Sequence, residues 1–144
     1  MKVRKRAITL LEIMIVIVII GIIGSVVGYS MKGSLDQGRA FKSEQGSKQV
    51  HDLLMLQVMQ GTPIDEIKKD PLQVLESTGL AGNSKKLFKD GWGKDFEIKF
   101  IEGSQEEFVV TSEAWKKYLD KKNMAEERIQ EEYPWAFHEN LIEE

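Results

Sequence analysis

The sequence predicts an α+β protein. A long N-terminal helix, apolar first and amphipathic afterwards, is packed by short helices, a small antiparallel hairpin and a C-terminal helix. Three observations carry this prediction. Ile8 to Tyr29 is an almost unbroken apolar run of roughly 22 residues, about 33 Å of helix at ~1.5 Å per residue and long enough to cross a hydrocarbon core. Beyond it, Val50, Leu53, Leu54 and Val58 recur at helical spacing, with Ala40 and Phe41 upstream. Further on, "DFEIKFIEG" alternates Phe96, Ile98 and Phe100 with Glu97, Lys99 and Glu102, the period of a half-buried strand.

The boundaries follow from these patterns. Residues 1–7 are a basic leader, 8–30 a membrane-spanning and assembly helix, and 31–144 a folded domain. Within that domain we expect a stem helix at about 34–60, a hairpin at about 95–112 and a C-terminal helix at about 113–132. Gly33, Gly38 and Gly46 weaken the stem by about 1 kcal/mol each relative to alanine, and Gly61 is its expected stop. Thr62 before Pro63, and Asp70 before Pro71, read as the caps of two short helices, because proline suits the first helical position. "EGSQ" turns the chain between the strands, and "EFVVTS" is the returning strand. The last helix carries Trp115, Tyr118, Leu119 and Ile129 and is closed off before Pro134.

Composition narrows the function. Lys2, Arg4, Lys5 and Arg6 precede the apolar run, so four of the 20 basic residues leave 16 against 23 acidic ones in the rest of the chain. An acidic domain lacks the electrostatic footprint of a nucleic-acid binder, and we expect no nucleic-acid partner. The basic cluster instead holds its end of the helix in the cytoplasm. Without cysteine there is no disulfide, thiolate nucleophile or cysteine metal site.

Three readings compete for the apolar segment. A secretory signal has a shorter core and a small-residue cleavage site behind it, which "GYSMKGSLDQG" does not supply. A plain anchor fits the charges but leaves Glu12 unexplained. Cleavage in front of the core, after Ala7, would place a new amino group on Ile8, four residues before Glu12. A carboxylate in the first turn is favoured by the helix dipole by roughly 0.3–1 kcal/mol. A unit charge pair at ~4 Å and an effective dielectric of ~20 gains on the order of 4 kcal/mol. This is comparable with the roughly 2.5–3.5 kcal/mol cost of an ionised residue at mid-membrane. The helix cannot easily fold its own terminus back onto Glu12, but a neighbouring helix can offer its terminal amine. Glu12 is then a register device for parallel packing. Gly21, Gly24, Ser25 and Gly28 would let the helices approach closely.

These residues resemble the N-terminus of type IV prepilins and pseudopilins: a short basic leader, a small residue at the cut, then "ITLLEIMIVIVIIGIIGSVV". "TLLEIMIVIVIIGII" is most similar to the G-type major pseudopilin of type II secretion. "LFKDGWGKDFEIKF" resembles the family's "DPWGNPY" segment and the strand after it. The resemblance implies a pilin-like fold, and a prepilin peptidase, an intramembrane aspartic protease, that cuts between Ala7 and Ile8 and methylates the Ile8 amine. It implies that Glu12 contacts the Ile8 amine of an adjacent subunit during assembly. The implied partners are copies of the chain itself, minor pseudopilins, membrane lipid, and an inner-membrane assembly platform with its ATPase. The implied location is the inner membrane, single-pass, with the N-terminus cytoplasmic and the C-terminal domain periplasmic. The sequence departs from the family pattern at Ala7, where glycine is usual, at Ile8, where phenylalanine is common, and at Tyr29, where many relatives have proline.

Other constellations were weighed. Relatives of the G type finish with an aspartate-rich calcium loop, which this sequence lacks; Asp90, Asp95 and Glu97 are solvated carboxylates near a turn in our reading, and we expect no metal or cofactor. His51 is read as a surface or stem-packing residue, His138 as part of an acidic tail, and Trp92 as a plug under a tight turn. "GIIGSVVG" lies in the membrane segment and lacks a phosphate-loop lysine. No serine or threonine carries a nucleophile motif, so no enzyme is expected. The expected function is structural, a subunit of a type II secretion pseudopilus. The alternatives are a type IV or competence pilin and, in another class, a membrane-tethered binding domain.

Overall fold

The computed structural model describes residues 7–104 and 107–142. In chain order the elements are α1 (Leu10–Met59), α2 (Ile64–Lys69), α3 (Pro71–Ser77), α4 (Ser84–Leu87), β1 (Glu97–Phe100), β2 (Phe108–Thr111), α5 (Glu113–Lys121) and α6 (Glu126–Glu132). This is the α+β arrangement that the sequence predicts. The chain divides into two compact units, one ending at Asp36 and the other beginning at Gln37, so the boundary falls inside α1. Residues 1–6 of the expected leader and Gln105 of the expected turn lie outside the described residues.

In the first unit every residue of α1 from Leu10 to Leu35 is exposed. Its isoleucines and valines are poor helix formers in water, but a lipid environment imposes the helix by requiring each backbone group to be satisfied internally.

In the second unit α1 buries one stripe: Ala40, Ser43, Ser47, Val50 and Leu54. The steps of three and four residues place all five on one face. Phe41, expected on this face beside Ala40, is instead 63% exposed, because one step along a helix turns the side chain by about 100°. Gly46 sits where an added Cβ would lie 3.3 Å from the Phe96 ring, so its lack of a side chain lets that ring pack down. The helix stops as Gly61 takes φ +101°, with its N–H donating to the Val58 carbonyl and the Thr62 N–H to the Gln57 carbonyl.

That ending alters the expected start of α2. Thr62 belongs to the turn, its hydroxyl bonded to Gln57 Oε1 at 3.3 Å, so the N-cap is Pro63 and no side chain caps the helix. At α3 the expected device is present: Asp70 Oδ1 accepts from the Gln73 N–H at 3.1 Å and Pro71 opens the helix. The last helical segment also differs from expectation, being two helices rather than one. Asn123 adopts φ +54°, its N–H donates to the Asp120 carbonyl, and the Met124 N–H reaches the Leu119 carbonyl. This is a Schellman ending with asparagine in the left-handed position, and it turns α5 out before α6 begins.

The hairpin pairs Ile98 with Val110 and Phe100 with Phe108. All four residues of β2 are buried, not alternate ones. The C-terminal segment explains this, because it covers what the hairpin alone would leave open. The Val110 N–H donates to the Trp135 carbonyl at β2's outer edge, while the Ile142 N–H donates to the Phe100 carbonyl at β1's. Two hydrophobic clusters result. One joins Val50 and Leu54 to Leu75, Phe96, Phe108 and Val110. The other joins Ala40 to Trp115, Leu119, Ile129, Ala136 and Phe137.

Candidate processing and assembly site

Ala7 and Ile8 precede α1 and are exposed, Ile8 by 73%. Thr9 and Glu12 close a reciprocal cap. The Thr9 N–H donates to Glu12 Oε2 at 3.1 Å, the Thr9 hydroxyl lies 3.4 Å from the same oxygen, and the Glu12 N–H donates to Thr9 Oγ1 at 3.3 Å. This is a capping box, in which the residue before the helix and the third residue of the helix satisfy each other's free backbone donors. Sequence reasoning credited Glu12 with the helix dipole and passed over Thr9. The signal was available, since threonine followed three residues later by glutamate before an apolar run is the capping-box signature.

Both hydrogen bonds to the Glu12 carboxylate use Oε2. A carboxylate has two oxygens and about four lone-pair sites, so the cap leaves Oε1 able to accept from a further donor. The capping role and a contact with a neighbouring amine are therefore compatible.

Gly21, Gly24 and Gly28 lie along one face, and a Cβ built on any of them meets nothing within 4 Å. The Ser25 hydroxyl is turned back onto the Ile22 carbonyl at 2.8 Å. At about 100° per residue Glu12 lies roughly half a turn away from the glycine stripe. Glu12 and the glycine stripe therefore lie on opposite faces of the helix. Among the described residues, α1 is the one helix long and apolar enough to cross a membrane.

The remaining residues singled out in the sequence have structural surroundings. Asp90, read above as a solvated carboxylate, is instead buried, because the loop's own N–H groups replace water: it accepts from the Trp92 N–H at 2.9 Å, the Lys94 N–H at 3.0 Å and the Ser112 hydroxyl at 2.6 Å. Asp95 pairs with Lys89 at 2.9 Å. Among the described residues no group of three or more His, Cys, Asp or Glu is placed to hold a metal ion. Trp92 is partly buried against the second cluster, its ring 6.1 Å from that of Tyr118. A Cβ on Gly91 would fall 2.0 Å from the Arg39 carbonyl oxygen, so glycine is what lets this loop close on α1. His51 packs its ring 5.3 Å from Phe108, and His138 Nδ1 accepts from the Asn140 N–H at 3.1 Å.

Comparison with known proteins bears on the same N-terminal segment. Residues 2–28 match a family profile described as the prokaryotic N-terminal methylation motif. The chain is also 40% identical over 99 residues to a protein of Chlamydia trachomatis named "Putative outer membrane protein", covering 68% of this chain and 80% of that one. A protein of the same name from Chlamydia muridarum is 36% identical over 111 residues, covering 76% and 90%. The chain belongs to this chlamydial family. A likeness over 99 residues cannot be confined to the first unit, so it takes in at least part of the folded domain. Its N-terminus carries a methylation motif of the type IV prepilin kind. No solved structure matches.

Proposed function

We propose that the chain is a filament subunit of a type II secretion pseudopilus. It is made as a precursor, cut by a prepilin peptidase between Ala7 and Ile8, methylated on the Ile8 amine and drawn out of the inner membrane into a periplasmic stack. The observation that supports this most directly is the N-terminal methylation motif on a helix whose apolar residues are exposed all round. An anchor would be served by the apolar residues alone. The Thr9–Glu12 cap gives the helix a fixed first turn, and Glu12 Oε1 remains able to accept from the Ile8 amine of an adjacent copy. Subunits added by one repeated screw operation make head-to-tail contacts that never close, which is how a single chain builds a fibre.

Minor pseudopilins, an assembly platform and its ATPase are the further partners this function requires. The N-terminus is cytoplasmic in this reading and the folded domain periplasmic, in keeping with Lys2, Arg4, Lys5 and Arg6. The relatives are named for the outer membrane, towards which a filament rooted in the inner membrane would extend. A type IV or competence pilin would use the same first helix, and the type II assignment rests on the fuller match of "TLLEIMIVIVIIGII".

Processing is the deciding experiment. Mass spectrometry of the protein from a host with an active prepilin peptidase should show loss of the first seven residues and gain of one methyl group. An intact N-terminus in such a host would end the filament reading.

A further inference from the structure

An apolar groove of about 560 Å³ lies between α1 and the α4 region, with Phe41, Ala81 and Leu87 among its lining residues. Phe41 is 63% exposed there, an aromatic ring left without cover. Lys42 and Lys86 also line the groove, both exposed, and neither ammonium takes part in an ion pair among the described residues. The complementary charge lies on α6. Glu127 and Glu131, one helical turn apart and exposed, are likewise without an ion pair among the described residues, and exposed Pro134 follows them.

The two surfaces flank the buried stripe of α1 on opposite sides. At about 100° per residue, Lys42, Gly46 and Gln49 fall on one flank of Ala40, Ser43 and Ser47, Glu44 and Lys48 fall on the other, and Phe41 and Gln45 lie on the outer face between them. The chain after α6 runs along that second flank. The Lys48 ammonium lies 5.1 Å from the Trp135 ring centre, and burial followed by the nearby Glu44 carboxylate pushes the Tyr133 phenol above its ordinary value. α6 is held in its own copy through buried Ile129, in the cluster of Ala40 and Trp115 and not in the groove, so the groove is left for α6 of a second copy.

We propose that the groove between α1 and α4 receives α6 of a second copy of this chain, with Lys42 and Lys86 facing Glu127 and Glu131 and the apolar floor taking Pro134. The contact joins two different patches, so it propagates instead of closing into a dimer. It rests on the filament reading and names the surfaces that reading leaves open. Opposite charges at such a rim chiefly set register and exclude wrong pairings, with the apolar floor adding contact area.

The chain has no cysteine, so introduced ones report without background. The full chain carrying Gln45→Cys and Gln130→Cys should give a ladder of disulfide-linked multimers on oxidation in the host membrane. Lys42→Glu with Lys86→Glu should reduce the ladder at least tenfold, and Glu127→Lys with Glu131→Lys should do the same. Combining all four should restore it to within about twofold, which a merely unfolded variant cannot do. Val16→Cys in a separate chain reports contact between the apolar helices. A Val16 dimer without the ladder would overturn this inference and leave the filament reading standing; loss of both would overturn both. A ladder indifferent to the charge reversals, or a cross-link to a different protein in its place, would also overturn it.

Discussion

From Leu10 to Leu35, α1 has no buried residue and is almost wholly apolar; from Gln37 to Met59 the same helix buries five side chains, three of them alanine or serine. The first stretch buries none of its own side chains. Each fully buried Ile, Val or Leu is worth roughly 1.5–3 kcal/mol, so this surface is stable only in lipid or against other copies. The second stretch is selective. Small residues at Ala40, Ser43 and Ser47 bring a strand and a loop onto the helix backbone. The Ser47 hydroxyl donates to the Val110 carbonyl, and the Gly91 N–H donates to Ser43 Oγ at 2.8 Å. One helix is thus wholly exposed along its first stretch and, further along, part of a domain core, and the two stretches use opposite kinds of residue.

This contrast can be broken from either side. The largest effect is expected at Gly91. A fragment starting near Gly33 should fold as a monomer by circular dichroism. Gly91→Ala in that fragment should lower its stability by about 3 kcal/mol, because the new Cβ would fall 2.0 Å from the Arg39 carbonyl oxygen and the loop must lift off α1. An unchanged melting temperature would mean that the loop does not need this approach.

Glu12→Leu tests the other half. It removes a group that is costly in lipid, so membrane insertion should be unimpaired, and Ala7 and Ile8 are unchanged, so cleavage should persist. The folded domain should melt as before. Assembly, read by disulfide cross-linking between stems, should fall sharply, and Glu12→Asp should be intermediate. Normal assembly of Glu12→Leu would show that the carboxylate does no more than cap its own helix.

The smallest expected effect sharpens the comparison within the domain. Asp70→Ala removes the cap bonded to the Gln73 N–H and should cost about 1 kcal/mol in urea unfolding of the Gly33 fragment, with no change in membrane cross-linking. A loss above about 3 kcal/mol would mean that the turn between α2 and α3 carries tertiary strain as well.

Much of this protein was legible from local rules. The apolar run, the Asp70–Pro71 start, the Gly61 stop and the alternation of Phe96, Ile98 and Phe100 depend on residues within a few positions of one another. Thr9 was legible on the same terms, through its spacing from Glu12. Other features depend on partners far along the chain. Nothing near Ser43 and Ser47 in sequence marks them as buried, because their partners Gly91 and Val110 lie 48 and 63 positions later. Burial of all four β2 residues needs the C-terminal segment, whose Trp135 and Asn140–Ile142 backbone closes both edges of the hairpin. The sequence by itself determined the Asp70–Pro71 start, the Gly61 stop and which stretch demands a nonaqueous surrounding, because capping and hydropathy act over a few residues, although it left the break between α5 and α6 and the start of α2 unread. Only the tertiary structure decided which small polar residues are buried, since that depends on which backbone comes close enough to satisfy their hydrogen bonds.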